Sequence, residues 1–130
     1  MKLTEHFSLD EFVCHDAART APKGIALENV KELAANLEVL RAHFGKPITI
    51  NSGYRTIAYN ELQPGHAKTS QHLLGKAADI VVPGETPEAV ASAIEALIAA
   101  GKMKQGGVGR YNTFTHYDIR GTRARWNYRK

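Results

Sequence analysis

One cysteine, Cys14, stands in the 130 residues, so no internal disulfide can staple this chain and no cysteine-based metal site can form within it. The apolar runs fall far short of the roughly 20 residues needed to span a bilayer. The start, Met1-Lys2-Leu3-Thr4-Glu5-His6, lacks the apolar stretch and small-residue cleavage site of a secretory signal. Synthesis in the cytoplasm is therefore expected, with any work outside the cell depending on another means of delivery. Repeats, low-complexity tracts and linkers are also missing, and one domain over residues 1–130 is expected, large enough for a single core. After Asp118 there is no acidic residue, while Arg120, Arg123, Arg125, Arg129 and Lys130 follow. The net charge of +4 is concentrated in that segment. With Trp126 and Tyr128 interleaved, the tail has the composition of a nucleic-acid contact. It fits equally a general attraction to polyanions such as a bacterial wall. We expect a solvated, partly frayed terminus.

What is present is an ordinary globular composition, 43% hydrophobic and 23% charged. Cys14 reads as a buried or incidental thiol, because the adjacent His15 points away from it on regular structure. Ser8 followed by Glu11 forms a capping box, bracketed by Phe7 and Phe12 as a staple. Leu27, Val30, Leu33, Ala34, Leu37, Leu40 and Phe44 recur at spacings of three and four, which predicts an amphipathic helix ended by Gly45 and Pro47. Residues 48–50 predict a short strand leading to a turn at Asn51-Ser52-Gly53-Tyr54-Arg55. Residues 56–71 are polar and read as a long loop, a length often functional in a compact domain. Residues 77–82 form a nearly continuous apolar run, as in a strand buried on both faces. Thr86 caps a second helix with Pro87 at its first position and Ala89, Val90, Ala93, Ile94, Leu97 and Ile98 on its apolar face. Residues 108–111 and 114–119 predict an antiparallel hairpin turning at Asn112. The class is α+β, with a small antiparallel sheet of about four strands and two main helices.

Chemistry concentrates in two segments. Ser70-Gln71-His72 leads through Gly75 to Asp79, and Phe114-Thr115-His116-Tyr117-Asp118 follows near the end. Two imidazoles and a carboxylate are a common protein ligand set for a catalytic zinc ion, whose fourth position stays open. His72 and Asp79 lie too far apart for one helical turn, but a turn at Gly75 into the following strand can bring them together. His116 and Asp118 share a strand face by their period-two spacing. Asp118 is thus a candidate either for general base or for orienting a ligand. Ser70 is placed to hydrogen-bond nearby groups or a substrate. The competing assignment is structural: buried histidines are more often satisfied core residues than ligands, and Asp79 can simply cap or pair with Arg55. His66 reads as an exposed loop histidine, with a spare ligand or proton shuttle as the alternative. His6, His15 and His43 lie outside these motifs.

The ordered set Ser52-Gly53-Tyr54-Arg55, Ser70-x-His72-x-x-Gly75-x-Ala77-x-Asp79-Ile80, Gly106-Gly107-Val108-Gly109-x-Tyr111 and Phe114-x-His116-x-Asp118 closely resembles the zinc D-alanyl-D-alanine carboxypeptidase family of peptidoglycan peptidases. That family is related to lysostaphin-type enzymes and to the hedgehog domain. The opening Leu3-x-x-x-Phe7-Ser8-Leu9-x-Glu11-Phe12 is typical of its small bacterial and phage members. The resemblance implies that His72, Asp79 and His116 bind Zn2+, that Arg55 contacts the substrate carboxylate or developing oxyanion, and that Ser70 supports substrate. It implies hydrolysis of peptide bonds involving D-amino acids by a water activated at the metal. Where other members carry an acidic base or a histidine before the last ligand, this chain has Thr113 and Phe114, which leaves Asp118 as the remaining candidate for base. The expected partner is bacterial peptidoglycan or its muropeptides, met by a monomer after phage- or holin-type delivery, with neither nucleic acid nor membrane involved. A cytoplasmic dipeptidase and a zinc-stabilised, non-catalytic wall-binding or phage structural module are the alternatives.

Overall fold

The computed structural model describes residues 1–63 and 69–129. A single 3-10 turn, Leu9–Glu11, opens the chain. The Glu11 carboxylate accepts from the Ser8 amide at 2.7 Å, and Phe7 and Phe12 meet edge to face with centroids 6.1 Å apart. This is the expected box and staple. The apolar stripe starting at Leu27 is realised as α1 (Ile25–Phe44), which buries Val30, Leu33, Ala34, Leu37 and Leu40 and stops at Gly45. β1 (Thr49–Ser52) follows. The expected loop then contains a five-residue helix, α2 (Ile57–Glu61), capped by Thr56 Oγ1 accepting from the Tyr59 amide at 3.2 Å. Ile57 and Leu62 are exposed, so α2 carries no inward stripe, and periodicity could not reveal it. His66 lies outside the described residues.

A second 3-10 turn, Gln71–Leu74, leads through Gly75 into β2 (Ala77–Val81). α3 (Pro87–Ala99) starts at Thr86, whose hydroxyl accepts from the Ala89 amide at 3.0 Å. β3 (Gly107–Arg110) and β4 (Thr115–Asp118) form the expected antiparallel hairpin. The sheet has five strands rather than about four, because Ala124–Asn127 forms β5, parallel to β3. The tail expected to fray is therefore edge structure. Its arginines reach back to α3: Arg125 holds both oxygens of Glu95 at 2.9 Å, and Arg129 meets Glu88 at 2.8 Å. The segment does alternate, Ala124 and Trp126 against Arg125 and Asn127, but the alternation is short and its arginines read as a solvated tail.

Strand order is β1-β2-β4-β3-β5, antiparallel throughout except for the β3–β5 pair. Side-chain alternation splits the sheet into two faces of opposite character. Ala78 and Ile80 of β2, Val108 of β3 and Tyr117 of β4, with Ile119 just beyond it, join the core that α1 and α3 cover. The other face receives Asp79, His116 and Asp118, all buried. Asp79 sits directly opposite His116 across the β2–β4 ladder, and Asp118 opposite Ala77. The apolar run of residues 77–82 is indeed buried on both faces, but one of those faces is a polar cluster. Among the described residues no helix is long and apolar enough to cross a membrane.

Candidate metal centre

Each of the three expected ligands is fixed by a different local device. His72 stands on the Gln71–Leu74 turn, where Ser70 is the N-cap and its hydroxyl accepts from the His72 amide at 3.2 Å. Gly75 then adopts φ +74° and turns the chain toward β2; a Cβ there would press on the carbonyl of Ala26 in α1. Only glycine takes that conformation in that space without strain. Asp79 is carried by the centre of β2, and His116 by the opposite position of β4.

The three side chains converge. Asp79 Oδ1 is 3.4 Å from His72 Nε2 and 3.2 Å from His116 Nδ1, and one ligand atom from each residue lies within 4.8 Å of the others. Tetrahedral zinc with ligands at 2.0–2.2 Å separates its donor atoms by roughly 3.3–3.6 Å. The outer nitrogens are equally well defined. His72 Nδ1 donates to the Gly53 carbonyl at 2.7 Å, and His116 Nε2 meets Asp118 Oδ2 at 2.7 Å. A carbonyl only accepts, so the His72 tautomer is settled with its proton outward and a bare Nε2 facing the Asp79 carboxylate. A lone pair opposed to a carboxylate oxygen at 3.4 Å is a repulsive contact that a cation between them relieves. The donor set, spacing, burial and outer hydrogen bonds all fit a metal ion.

Electrostatics separate the two histidines. Burial drives His72 below the ordinary imidazole value, with Asp79 only partly opposing it. Burial also opposes charge on His116, but the Asp118 and Asp79 carboxylates outweigh it and hold that ring above the ordinary value. Asp79 would be raised by burial, yet the His116 and His72 rings beside it keep it well below the usual carboxylate range. It presents an ionised oxygen to any bound cation.

The remaining expected residues surround this group and have protein partners of their own. Arg55 pairs with Asp79 through its Nη2 at 3.2 Å to Oδ2, while its Nε donates to Ser52 at 3.1 Å and its Nη1 to Asn60 at 3.3 Å. One Asp79 oxygen thus faces the histidines and the other the guanidinium. Ser70 serves the His72 turn as a cap. Asp118 lies on the far side of His116 from Asp79 and is fully buried. Its Oδ1 accepts from the amides of Gly107 at 2.9 Å and Arg120 at 3.1 Å, and the Arg120 guanidinium spans both oxygens at 2.9 and 2.8 Å. Asp118 thus spends its oxygens on His116, Gly107 and Arg120 and addresses the metal group through the His116 ring, the arrangement expected of a ligand-orienting carboxylate. Cys14 is buried, with Thr56 Oγ1 4.0 Å from its sulfur.

Sequence reasoning missed three contributors. Gly53 acts through its backbone carbonyl, which no side-chain pattern announces. Arg120 is two residues beyond Asp118, a spacing that could have signalled the pair. Trp126, the one tryptophan of the chain, packs its ring 4.8 Å from that of His116.

A model of the family described as Peptidase M15 matches residues 5–118, which include every residue of the metal group. No curated protein matches the chain. The chain belongs to the peptidase M15 family, the zinc D-alanyl-D-alanine carboxypeptidase type.

Proposed function

We propose that this M15 peptidase is a zinc enzyme that hydrolyses D-amino-acid-containing peptide bonds of peptidoglycan, in stem peptides or cross-links, with His72, Asp79 and His116 as the metal ligands. The observation that carries the zinc assignment is the pair of 3.2 and 3.4 Å separations around Asp79 Oδ1, in a donor set of two imidazoles and one carboxylate. When bound, the metal supplies a Lewis acid and lowers the pKa of a water. The chain supplies the rest. Asp118 holds the His116 tautomer, as the Gly53 carbonyl does for His72, so both inner nitrogens keep their lone pairs. Arg55 neutralises the outer oxygen of Asp79 and stands at the edge of the cluster, where a substrate carboxylate or oxyanion can share its guanidinium. Ser70 contributes by fixing the His72 turn.

The wall as substrate is supported by the family type, in which peptidoglycan peptides are the expected class. The test is digestion of purified muropeptides and intact sacculi by the zinc-loaded protein, read by mass spectrometry, with His72→Ala as control. New fragments from the wild type alone support the enzyme. A protein that retains zinc and wall affinity but yields no fragment is the non-catalytic module instead. The absence of an acid at Thr113 and of a histidine at Phe114 is what favours keeping that second reading.

A further inference from the structure

The buried His116 ring is met by aromatic rings that the ligand set itself does not require. Trp126 of β5 lies across Gly109 of β3, and a Cβ at Gly109 would collide with the indole. The ring therefore reaches His116, which sits opposite Gly109 on the other side of β3. Its indole N–H donates to the Tyr111 hydroxyl at 2.8 Å. Tyr111 is stacked on Phe114, centroids 4.3 Å apart and planes 15° apart, and Tyr128 closes the outer side at 5.5 Å. From His116 outward the series runs through Trp126 and Tyr111 to Tyr128, which is 66% exposed.

An indole N–H is a donor only, so it takes a lone pair of the phenol oxygen and leaves the phenol proton available. Among the described residues no acceptor takes that proton. Burial pushes the Tyr111 hydroxyl above its ordinary value, the indole bond pulls it back, and the Asp79 carboxylate pushes it up again. The group thus stays protonated at neutral pH, and the indole that holds it packs against the His116 ring. Arg55, the other donor of the site, already has a protein acceptor on each of its three nitrogens.

We propose that the Tyr111 hydroxyl, tethered by Trp126 and held flat by Phe114, is a catalytic hydrogen-bond donor to the carbonyl oxygen of the scissile peptide. As the carbonyl carbon becomes tetrahedral, negative charge gathers on that oxygen, and a fixed donor in a water-poor site acts most strongly there. Tyr111 stays un-ionised and transfers no proton. This inference rests on the peptidase assignment above.

The test compares zinc-loaded wild type with Tyr111→Phe, which keeps the stacked ring and removes only the oxygen, and with Trp126→Phe, which removes the tether. Activity is measured on a muropeptide. Affinity is measured by calorimetry for a phosphinate analogue of D-Ala-D-Ala, whose tetrahedral anionic centre mimics the developing oxyanion, and for D-Ala-D-Ala itself. Tyr111→Phe is expected to lower kcat about 100- to 1,000-fold, the usual effect of losing one oxyanion donor. KM and zinc content stay near wild type. Phosphinate affinity falls by about the same factor as kcat, while D-Ala-D-Ala affinity changes little. Trp126→Phe is expected to lose about tenfold in kcat, because its phenol remains but is less well placed. A wild type that cuts, with a Tyr111→Phe variant that matches it in kcat and phosphinate affinity, overturns the inference and leaves the peptidase assignment standing. A wild type that cuts nothing, yet binds phosphinate far better than Tyr111→Phe, overturns the assignment and keeps the donor. Zinc loss from Tyr111→Phe, or equal phosphinate affinities without cleavage, overturns the inference.

Discussion

The two faces of the one sheet are built by opposite means. On the helix-covered face Ala78, Ile80, Val108, Tyr117 and Ile119 are buried among the apolar stripes of α1 and α3, and stability there comes from area removed from water, about 1.5–3 kcal/mol for each large side chain. On the other face Asp79, His116 and Asp118 are buried too, but they are held by directed contacts to Arg55, Arg120 and one another. Among the described residues no buried side-chain nitrogen or oxygen lacks a hydrogen bond. The first face tolerates inexact contacts. The second stands or falls on individual atoms, because an unpaired buried charge costs more than a pair contributes. The comparison teaches that one ladder can carry a core and a reaction centre back to back, since successive side chains leave a strand in opposite directions.

The largest effect is expected from breaking the polar face at its centre. Asp79→Ala leaves two imidazoles and an unpaired Arg55 beside them, one protein ligand short of the three usual in a catalytic zinc site. Zinc content measured by elemental analysis is expected to fall close to zero, with all peptidase activity. Stoichiometric zinc in the variant contradicts the ligand assignment. The matching insult to the apolar face is Leu37→Ala. Leu37 is fully buried in α1, and its truncation is expected to cost about 2–5 kcal/mol in denaturant unfolding. The folded fraction should still bind zinc with wild-type affinity. If Leu37→Ala altered zinc affinity as much as stability, the two faces would not be separable.

How far each face could be read in advance follows from the same contrast. The spacing of Leu27, Val30, Leu33, Ala34, Leu37 and Leu40 predicts α1 because a helix that buries a stripe must repeat it. Thr86-Pro87 marks the start of α3 for an equally local reason. The metal residues were legible as residue types, and the turn at Gly75 as a hinge, because positive φ is a property of one residue. Their partners were not. The Gly53 carbonyl carries no side-chain signal, and the spacing of Asp118 and Arg120 could have signalled their pairing but not its place behind the outward Nε2 of His116. β5 escaped because the alternation in Ala124-Arg125-Trp126-Asn127 is only four residues long and was outweighed by the run of arginines, which reads as a solvated tail. Its place depends on Arg125 finding Glu95 and on Trp126 finding the gap above Gly109. α2 escaped because its apolar side chains face solvent.

A subtler break of the polar face removes a charge and keeps the shape. Asp118→Asn preserves the volume behind His116 but replaces the carboxylate that holds the ring and receives the Arg120 guanidinium. Groups that orient a metal ligand from outside typically change affinity 10- to 100-fold, and a loss in that range is expected in a zinc-chelator competition titration. Peptidase activity at saturating zinc should fall far less. Complete loss of activity with zinc fully bound would mark Asp118 as the base and sink the assignment of its role to the His116 ring.

The smallest effect is a gradual one, and it separates the two histidines from each other. Zinc must displace any proton on a ligand nitrogen, so affinity falls as pH drops below a ligand's value in the metal-free protein, by up to about tenfold per unit per proton. His116 is held above the ordinary imidazole value by Asp118 and Asp79 despite its burial; His72 is pushed below that value by burial. As pH falls, His116 therefore gains its proton first, and zinc affinity should begin to decline while the solution is still above about pH 6.5, the ordinary imidazole value. His72 should add no second proton in that range, so the slope should be one proton rather than two. In Asp118→Asn the carboxylate that raises His116 is gone, and the onset should move to lower pH. Competition titrations between about pH 8.5 and 5.5 measure both onset and slope. A wild-type affinity that stays flat to pH 6.5, or an onset unmoved by Asp118→Asn, would show that His116 does not carry the proton zinc must displace.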